Sequence, residues 1–217
     1  MKKITLIGVM HKEIGKCNTD ELYNILEIIK PDIIFEETSV YKNMLTYTWG
    51  IDPNSPELRA IQKYIQNYRA KCIPIDNFKR PENFKELEDN FALAFINKNE
   101  KNIELYKLFD ISNEYIKKNG IKGMNTKYFD ELNRKKQKLC DEYIKNYILE
   151  IIEKYDEYEN IIFEKRENIM IETIYEFSNN YNNFNAALVI GADHRVTIID
   201  KLKKINNIEF SFYLGDN

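Results

Sequence analysis

Short apolar runs near the two ends of the chain predict buried β-strands. Each run is rich in β-branched residues and stops at Gly, Pro or an acidic residue. The runs are KITLIGV (3–9), DIIFEE (32–37), CIPID (72–76) and AALVIG (186–191). Between the first two, apolar side chains recur at helical spacing after Asn18 or Thr19, and Glu21 is placed to complete a capping box with Asn18. Strand, helix and strand at this spacing predict a βαβ unit in a parallel sheet.

The middle of the chain has a different pattern, in which charged and aromatic residues alternate at helical spacing and strand signals are missing. We interpret residues 81–159 as a helical insertion, within which the apolar residues from Ile144 to Tyr155 predict one continuous helical stripe. Residues 56–69, 164–177 and 195–204 predict further helices, and 208–214 predicts a last strand at an edge. The expected fold is α/β: a mainly parallel sheet flanked by helices, with the insertion between the third and fourth core strands, in a single domain over 1–217.

Composition narrows the classes of function. The 217 residues are 43% hydrophobic, which is enough for a sizeable core. Acidic and basic residues are mixed along the chain and leave a net charge of −3, so no nucleic-acid partner is expected. No apolar run approaches the length of a membrane span, and the three cysteines are odd in number and widely spaced. These features predict a protein of the cytoplasm with reduced thiols.

The predicted strand ends carry the candidate chemistry. His11 follows the first strand, Glu36 and Glu37 end the second, Asp76 ends the third, and His194 follows the fourth. Functional groups collect at the carboxyl ends of parallel strands, so these side chains are expected to converge on one edge of the sheet. Successive strand residues point to opposite faces, so only one of the two glutamates should face the site.

The chain has only two histidines, and each lies three residues after a glycine, Gly8 or Gly191. A glycine there permits a positive φ or a close approach of the backbone to another group. Two histidines and a carboxylate can hold a divalent metal ion with positions left for water and substrate. The alternative for either histidine taken alone is a structural hydrogen-bonding role in a loop.

The segments ITLIGVMHKEIG, IIKPDIIFEE, EKRENIM and AALVIGADH resemble, in their order and spacing, the TraB/PrgY and Tiki superfamily, which includes erythromycin-esterase-like and ChaN-like proteins. The resemblance covers about half of the chain and leaves the helical insertion outside. The residues at its motif positions are His11, Glu37, Arg166 and His194. Asp193 stands where many relatives have glycine, and could add a ligand or cap the next helix.

The resemblance implies a hydrolase of the metal-dependent peptidase or esterase type. His11, Glu37 and His194 would hold one divalent ion (Zn, Mn or Co) or activate water directly, and Arg166 would steady the developing oxyanion. Asp76 would orient a histidine or cap a turn. The substrate would be a peptide or a small-molecule ester. The alternative is a non-catalytic binding or signalling protein that keeps the pocket for haem or a peptide.

Overall fold

The computed structural model describes residues 1–51, 54–95, 100–148 and 152–214, and its centre is a parallel sheet of five strands. The strands are β1 (Lys2–Val9), β2 (Ile33–Glu36), β3 (Lys71–Pro74), β4 (Phe184–Gly191) and β5 (Glu209–Ser211). Their order across the sheet is β3-β2-β4-β1-β5. The predicted parallel α/β sheet is confirmed, and the last strand lies at an edge, beside β1.

Helices cover both faces of this sheet, and most of them lie between β3 and β4, as predicted. They are α1 (Thr19–Ile29), α2 (Val40–Tyr47), α3 (Pro56–Tyr68), α4 (Phe84–Ala94), α5 (Ile103–Met124), α6 (Lys127–Tyr147), α7 (Ile152–Glu159), a π-helix (Asn160–Arg166), α8 (Glu167–Asn179) and α9 (Arg195–Leu202). Within the described ranges, no helix is both long enough and apolar enough to cross a membrane.

Alternation along the central strands divides the core into two layers. On β1, Ile7 and Val9 pack against residues of α1, α3, α5 and α6, whereas Ile4 and Leu6 pack on the opposite face against α8 and α9. All four side chains are at most 3% exposed. Burying such a side chain contributes roughly 1.5–3 kcal/mol, so the sheet is held from both sides.

The predicted capping box at the start of α1 forms only by half. The Asn18 side chain accepts from the Glu21 backbone N–H at 2.9 Å, but the Glu21 carboxylate accepts from the N–H groups of Ile121 and Lys122 at 2.6 and 3.3 Å. Gly120 has a φ of +66° and interrupts α5, which leaves the N–H groups after it without helical partners. Glu21 caps that second helical start instead of its own.

The predicted continuous stripe from Ile144 to Tyr155 is wrong, because it is divided between two helices. Ile148 leaves the helical conformation with φ −134° and ψ 57° at the end of α6, and α7 begins at Ile152. Ile151, which was part of the stripe, lies outside the described residues. Helices α6 and α7 pack against each other, and Tyr155 donates a hydrogen bond to Asp141. The apolar residues therefore serve two packed helices.

Candidate active site

The two glycine-histidine motifs lie side by side because β1 and β4 are adjacent parallel strands. Val9 pairs with Gly191, so both motifs leave the sheet at the same edge. Gly191 does not have a positive φ, so a glycine is needed here because it leaves space where a side chain would be. A Cβ at Gly191 would lie 3.3 Å from Glu37 Oε2, 3.5 Å from His11 Nε2 and 3.7 Å from His194 Cδ2. The backbone of Gly191 thus lets three polar side chains approach one point.

The surroundings of Gly8 differ from those of Gly191. Its N–H donates to Asn125 Oδ1 at 2.8 Å, and Asn125 Nδ2 donates back to the Gly8 carbonyl at 3.0 Å. A Cβ at Gly8 would lie 3.1 Å from Cδ of the buried Arg195. Gly8 therefore joins the first strand to the end of α5, and it supports the edge of the sheet without facing the histidines.

His11 is held at one ring nitrogen and open at the other. Its Nδ1 donates to Glu57 Oε1 at 2.6 Å, and this hydrogen bond is the main reason that the pKa of His11 is raised. The His11 side chain is 62% exposed, whereas that of Glu57 is 9% exposed. Within the described residues, His11 Nε2 has no hydrogen-bond partner, and His11 lines a cavity of about 640 Å³. A basic nitrogen therefore faces this cavity.

His194 is buried and bonded at both ring nitrogens. Its Nδ1 contacts Glu167 Oε1 at 2.8 Å, and Arg166 Nη1 donates to its Nε2 at 3.0 Å. A guanidinium can only donate, so Nε2 carries the lone pair and Nδ1 carries the proton. Glu167 is fully buried, and its Oε1 also accepts from Thr197 Oγ1 at 2.6 Å. The imidazole of His194 is therefore held in one orientation between Arg166 and Glu167.

Arg166 is held by three side chains at the end of the π-helix. Asp76 accepts from its Nε at 3.1 Å and from its Nη2 at 2.9 Å, and Glu37 Oε1 accepts from Nη2 at 2.6 Å. Together with the bond to His194, these contacts use four of the five guanidinium N–H groups. One N–H of Nη1 has no acceptor within the described residues. Asp76, predicted to orient a histidine or cap a turn, holds the arginine instead.

The two adjacent glutamates point to opposite faces of the sheet, as the alternation of strand residues predicts. Glu37 faces the cluster, where its Oε2 also accepts from the Gly191 N–H at 2.5 Å. Glu36 lies on the other face and accepts from Tyr47 Oη at 2.6 Å and from Cys72 Sγ at 3.4 Å. Burial raises the pKa of Glu36. Only Glu37 therefore belongs to the cluster.

Asp193 does not cap α9, although the sequence allowed that role. The N-cap residue of this helix is His194, and no side chain in the described part of the chain forms a capping hydrogen bond there. The chain enters α9 through a hydrogen-bonded turn, in which His194 N–H donates to the Gly191 carbonyl at 3.0 Å. Asp193 is exposed on the wall of the cavity. Asp193 therefore belongs to the cavity wall and not to the cap of α9.

A second cavity of about 350 Å³ adjoins the first, which we call the main cavity. Six residues line both, and we call them the shared wall: Arg80, Phe109, Lys136, Arg166, Asp193 and His194. The shared wall combines residues from the edge of the sheet with residues from the helices inserted between β3 and β4. The insertion therefore supplies part of the enclosure around the histidines.

Sequence reasoning missed the two carboxylates that hold the histidines. Glu167 directly follows Arg166, and that adjacency was a usable signal, because a helix that brings an arginine to the site also brings its neighbour. Glu57 lies 46 residues after His11, in the first turn of α3, and no spacing connects the two. Only the packing of α3 beside the sheet edge places Glu57 next to His11.

In this arrangement, Arg166 occupies atoms that the predicted divalent metal ion would need. Arg166 donates to His194 Nε2 and to Glu37 Oε1, so a guanidinium already contacts two of the three predicted ligand residues. Among the described residues, no group of three or more His, Cys, Asp and Glu side chains is placed to hold a metal ion. A metal ion at these atoms would require Arg166 to move away.

No family model, no curated protein and no solved structure matches this chain at a significant level. The geometry of the cluster is therefore the basis for proposing a function.

Proposed function

We propose that the protein is a hydrolase that cleaves a peptide or a small-molecule ester in the main cavity. The single observation that carries the proposal is the pairing of His11 with Glu57. This pairing leaves His11 Nε2 open to a cavity that also contains the Arg166 guanidinium. A base beside a fixed cation is the minimum needed to activate water and to stabilise the oxyanion that forms.

His11 acts as the general base in this proposal. Its Nε2 takes a proton from a water molecule as the water oxygen attacks the carbonyl carbon of the substrate. The Nδ1–H bond to Glu57 Oε1 stabilises the imidazolium that results, which returns the proton to the leaving alkoxide or amine when the C–O or C–N bond breaks. Glu57 is a positioning residue, because it acts through His11 and does not itself contact the substrate. The exposure of His11 gives water and substrate direct access to the base.

Arg166 stabilises the oxyanion through the N–H of Nη1 that has no acceptor in the described part of the chain. Asp76, Glu37 and His194 hold the guanidinium so that it needs no reorganisation when charge develops. Glu37 and His194 therefore position Arg166 in this proposal.

Turnover of a panel of p-nitrophenyl esters and short peptides tests the proposal. We expect His11→Ala to reduce the turnover rate roughly 10²–10⁴-fold, since that is the usual contribution of a general base. Added imidazole should restore part of the activity, because the site of His11 is open to solvent. Far-ultraviolet circular dichroism controls for folding. Equal turnover by the wild type and His11→Ala across the panel would contradict the proposal.

A metal-dependent form of the same hydrolase is a second candidate. The Nδ1 atom of each histidine forms a hydrogen bond with a carboxylate, and this arrangement orients many metal-ligating histidines. Elemental analysis of the purified protein for Zn, Mn and Co tests it, together with turnover after chelation. Stoichiometric metal and loss of turnover on chelation favour this form, and full turnover in metal-free protein rules it out.

A further inference from the structure

Lys136 on α6 differs from the basic residues around it. Its basic neighbours on that helix each have a carboxylate within 4 Å. The pairs are Arg134 with Asp200 at 3.1 Å, Lys135 with Glu104 at 3.1 Å and Lys138 with Glu142 at 3.7 Å. Lys136 forms no such pair within the part of the chain that the structure describes. It is also the one of these four that lines the main cavity.

The surroundings of Lys136 are partly apolar. Its Nζ lies 5.7 Å from the ring centres of both Phe109 and Phe129, and burial lowers the pKa of its ammonium group. The ionisable groups that influence it are Asp193 and Cys140. Holding an ammonium away from water without a direct carboxylate contact is unfavourable, and an anionic ligand would offset that cost.

Arg80 brings a second positive charge to the shared wall. Its guanidinium carbon lies 5.0 Å from the centre of the Phe84 ring, and the described residues offer it no ion pair. Arg166, on the same wall, is already engaged by Asp76 and Glu37. Lys136 and Arg80 are therefore the cations of this wall that remain for a ligand, and these two residue types are the common partners of carboxylates and phosphates.

We infer that the shared wall is an anion-binding subsite, in which Lys136 and Arg80 hold a carboxylate or phosphate group of the substrate. The inference rests on the hydrolase function proposed above, because it takes the anion to be part of the molecule that is cleaved. The main cavity also has apolar lining from Met10, Phe109, Ile116 and Phe129. The substrate class is therefore an apolar molecule with one anionic group beyond the bond that is broken.

Binding of small probes to the full-length protein tests this subsite. The probes for titration calorimetry are 3-phenylpropionate, phenyl phosphate and the neutral 3-phenylpropanamide. We expect one or both anions to bind at least about tenfold more tightly than the amide. The stronger of the two anions identifies the preferred group. Equal binding of all three probes would overturn the inference.

Two substitutions assign the binding to the shared wall. Lys136→Met keeps most of the side-chain volume between the phenylalanines and should remove the preference for anions, and Arg80→Gln should weaken it. Lys145→Met is the matched control, since Lys145 is exposed on the same helix and should leave binding unchanged. An unchanged preference in folded Lys136→Met and Arg80→Gln would overturn the inference.

Turnover of neutral and anionic esters, measured in parallel, separates this inference from the proposed function. Preferential binding of anions without any turnover supports the subsite and contradicts only the hydrolase. If the protein hydrolyses neutral esters but binds 3-phenylpropionate and 3-phenylpropanamide equally, the result contradicts the anion-binding subsite and supports the hydrolase function.

Discussion

The two histidine regions share a sequence pattern and differ in what surrounds the ring. His11 and His194 each follow a glycine by three residues, on adjacent strands, and each has Nδ1 on a glutamate. The side chain of His11 is 62% exposed and its Nε2 is open to the cavity. The side chain of His194 is 7% exposed and its Nε2 accepts from Arg166. The repeated pattern thus predicts where a histidine lies, and the contacts of Nε2 decide what it can do.

The π-helix before α8 is the physical source of this difference. It ends at Arg166, so the arginine and the following Glu167 reach His194 from one segment and bind both of its ring nitrogens. Among the residues that the structure describes, His11 has one hydrogen-bond partner, Glu57, which comes from α3. Short π-helical segments occur frequently at functional sites, since the extra residue per turn redirects side chains.

Removal of Arg166 should have the largest effect on stability, because this side chain contacts the other polar residues around His194. We expect Arg166→Met to reduce the free energy of unfolding by about 3–5 kcal/mol, since it leaves the buried carboxylate of Glu37 and the half-buried carboxylate of Asp76 without their cation. Urea denaturation measures this loss. Arg134→Met is the control: it breaks an exposed pair with Asp200 and should cost less than about 1 kcal/mol. Similar losses in the two variants would show that the Arg166 cluster is not a stabilising unit.

Alanine substitution of each histidine compares the two regions directly. We expect His194→Ala to cost about 2–4 kcal/mol of unfolding free energy, because it leaves a small cavity and removes a partner of the fully buried Glu167. His11→Ala should cost about 1 kcal/mol or less, because water can reach the space that an exposed side chain leaves. Denaturation of both variants in one buffer provides the measurement. Equal losses would remove the distinction between a structural and an accessible histidine.

The pH dependence of the His11 region should show the smallest effect. Glu57 raises the pKa of His11 above its ordinary value of 6.5, so this pair stabilises the fold fully below pH 6.5 and loses that contribution as pH rises through the raised pKa. A general base must be neutral, so turnover should rise over the same interval. Glu57→Gln should move this rise to lower pH and lower the His11 pKa.

Proton NMR can follow this titration, because the chain has only two histidines and therefore two Hε1 signals. His11→Gln identifies which signal belongs to His11. A His11 titration that is unchanged in Glu57→Gln would show that Glu57 does not control the protonation of His11.

Much of the fold was predictable from local pattern. The runs of β-branched residues predicted the first four strands of the chain, and the lengths of chain between them predicted parallel pairing. The predictions from sequence were wrong where a helix boundary or a capping partner depended on contacts with residues far along the chain. Glu21 caps the helix start after Gly120 instead of its own helix, and the Ile144 to Tyr155 stripe serves two helices because α6 and α7 pack together.

In the candidate site, too, features set by local pattern were predictable and features set by distant packing were not. Alternation along a strand predicted that only one of the two glutamates would face the site, because successive side chains must point to opposite faces. The choice of Glu37 over Glu36 came from the family resemblance, and Glu37 is the one that contacts Arg166. The partner of His11 was not predictable, because the position of Glu57 depends on how α3 packs. The role of Asp76 was also missed, since its partner Arg166 arrives 90 residues later.

The amino-acid sequence by itself determined that the two histidines and a glutamate would meet at one edge of a parallel sheet, because strand pattern and chain direction are local properties. Arg166 was expected there only from the family resemblance. Only the tertiary structure decided that the histidines are unequal. How deeply each imidazole is buried, and whether its Nε2 atom has a hydrogen-bond partner, depend on which helices cover each strand end. Those helices are selected by packing across the whole chain.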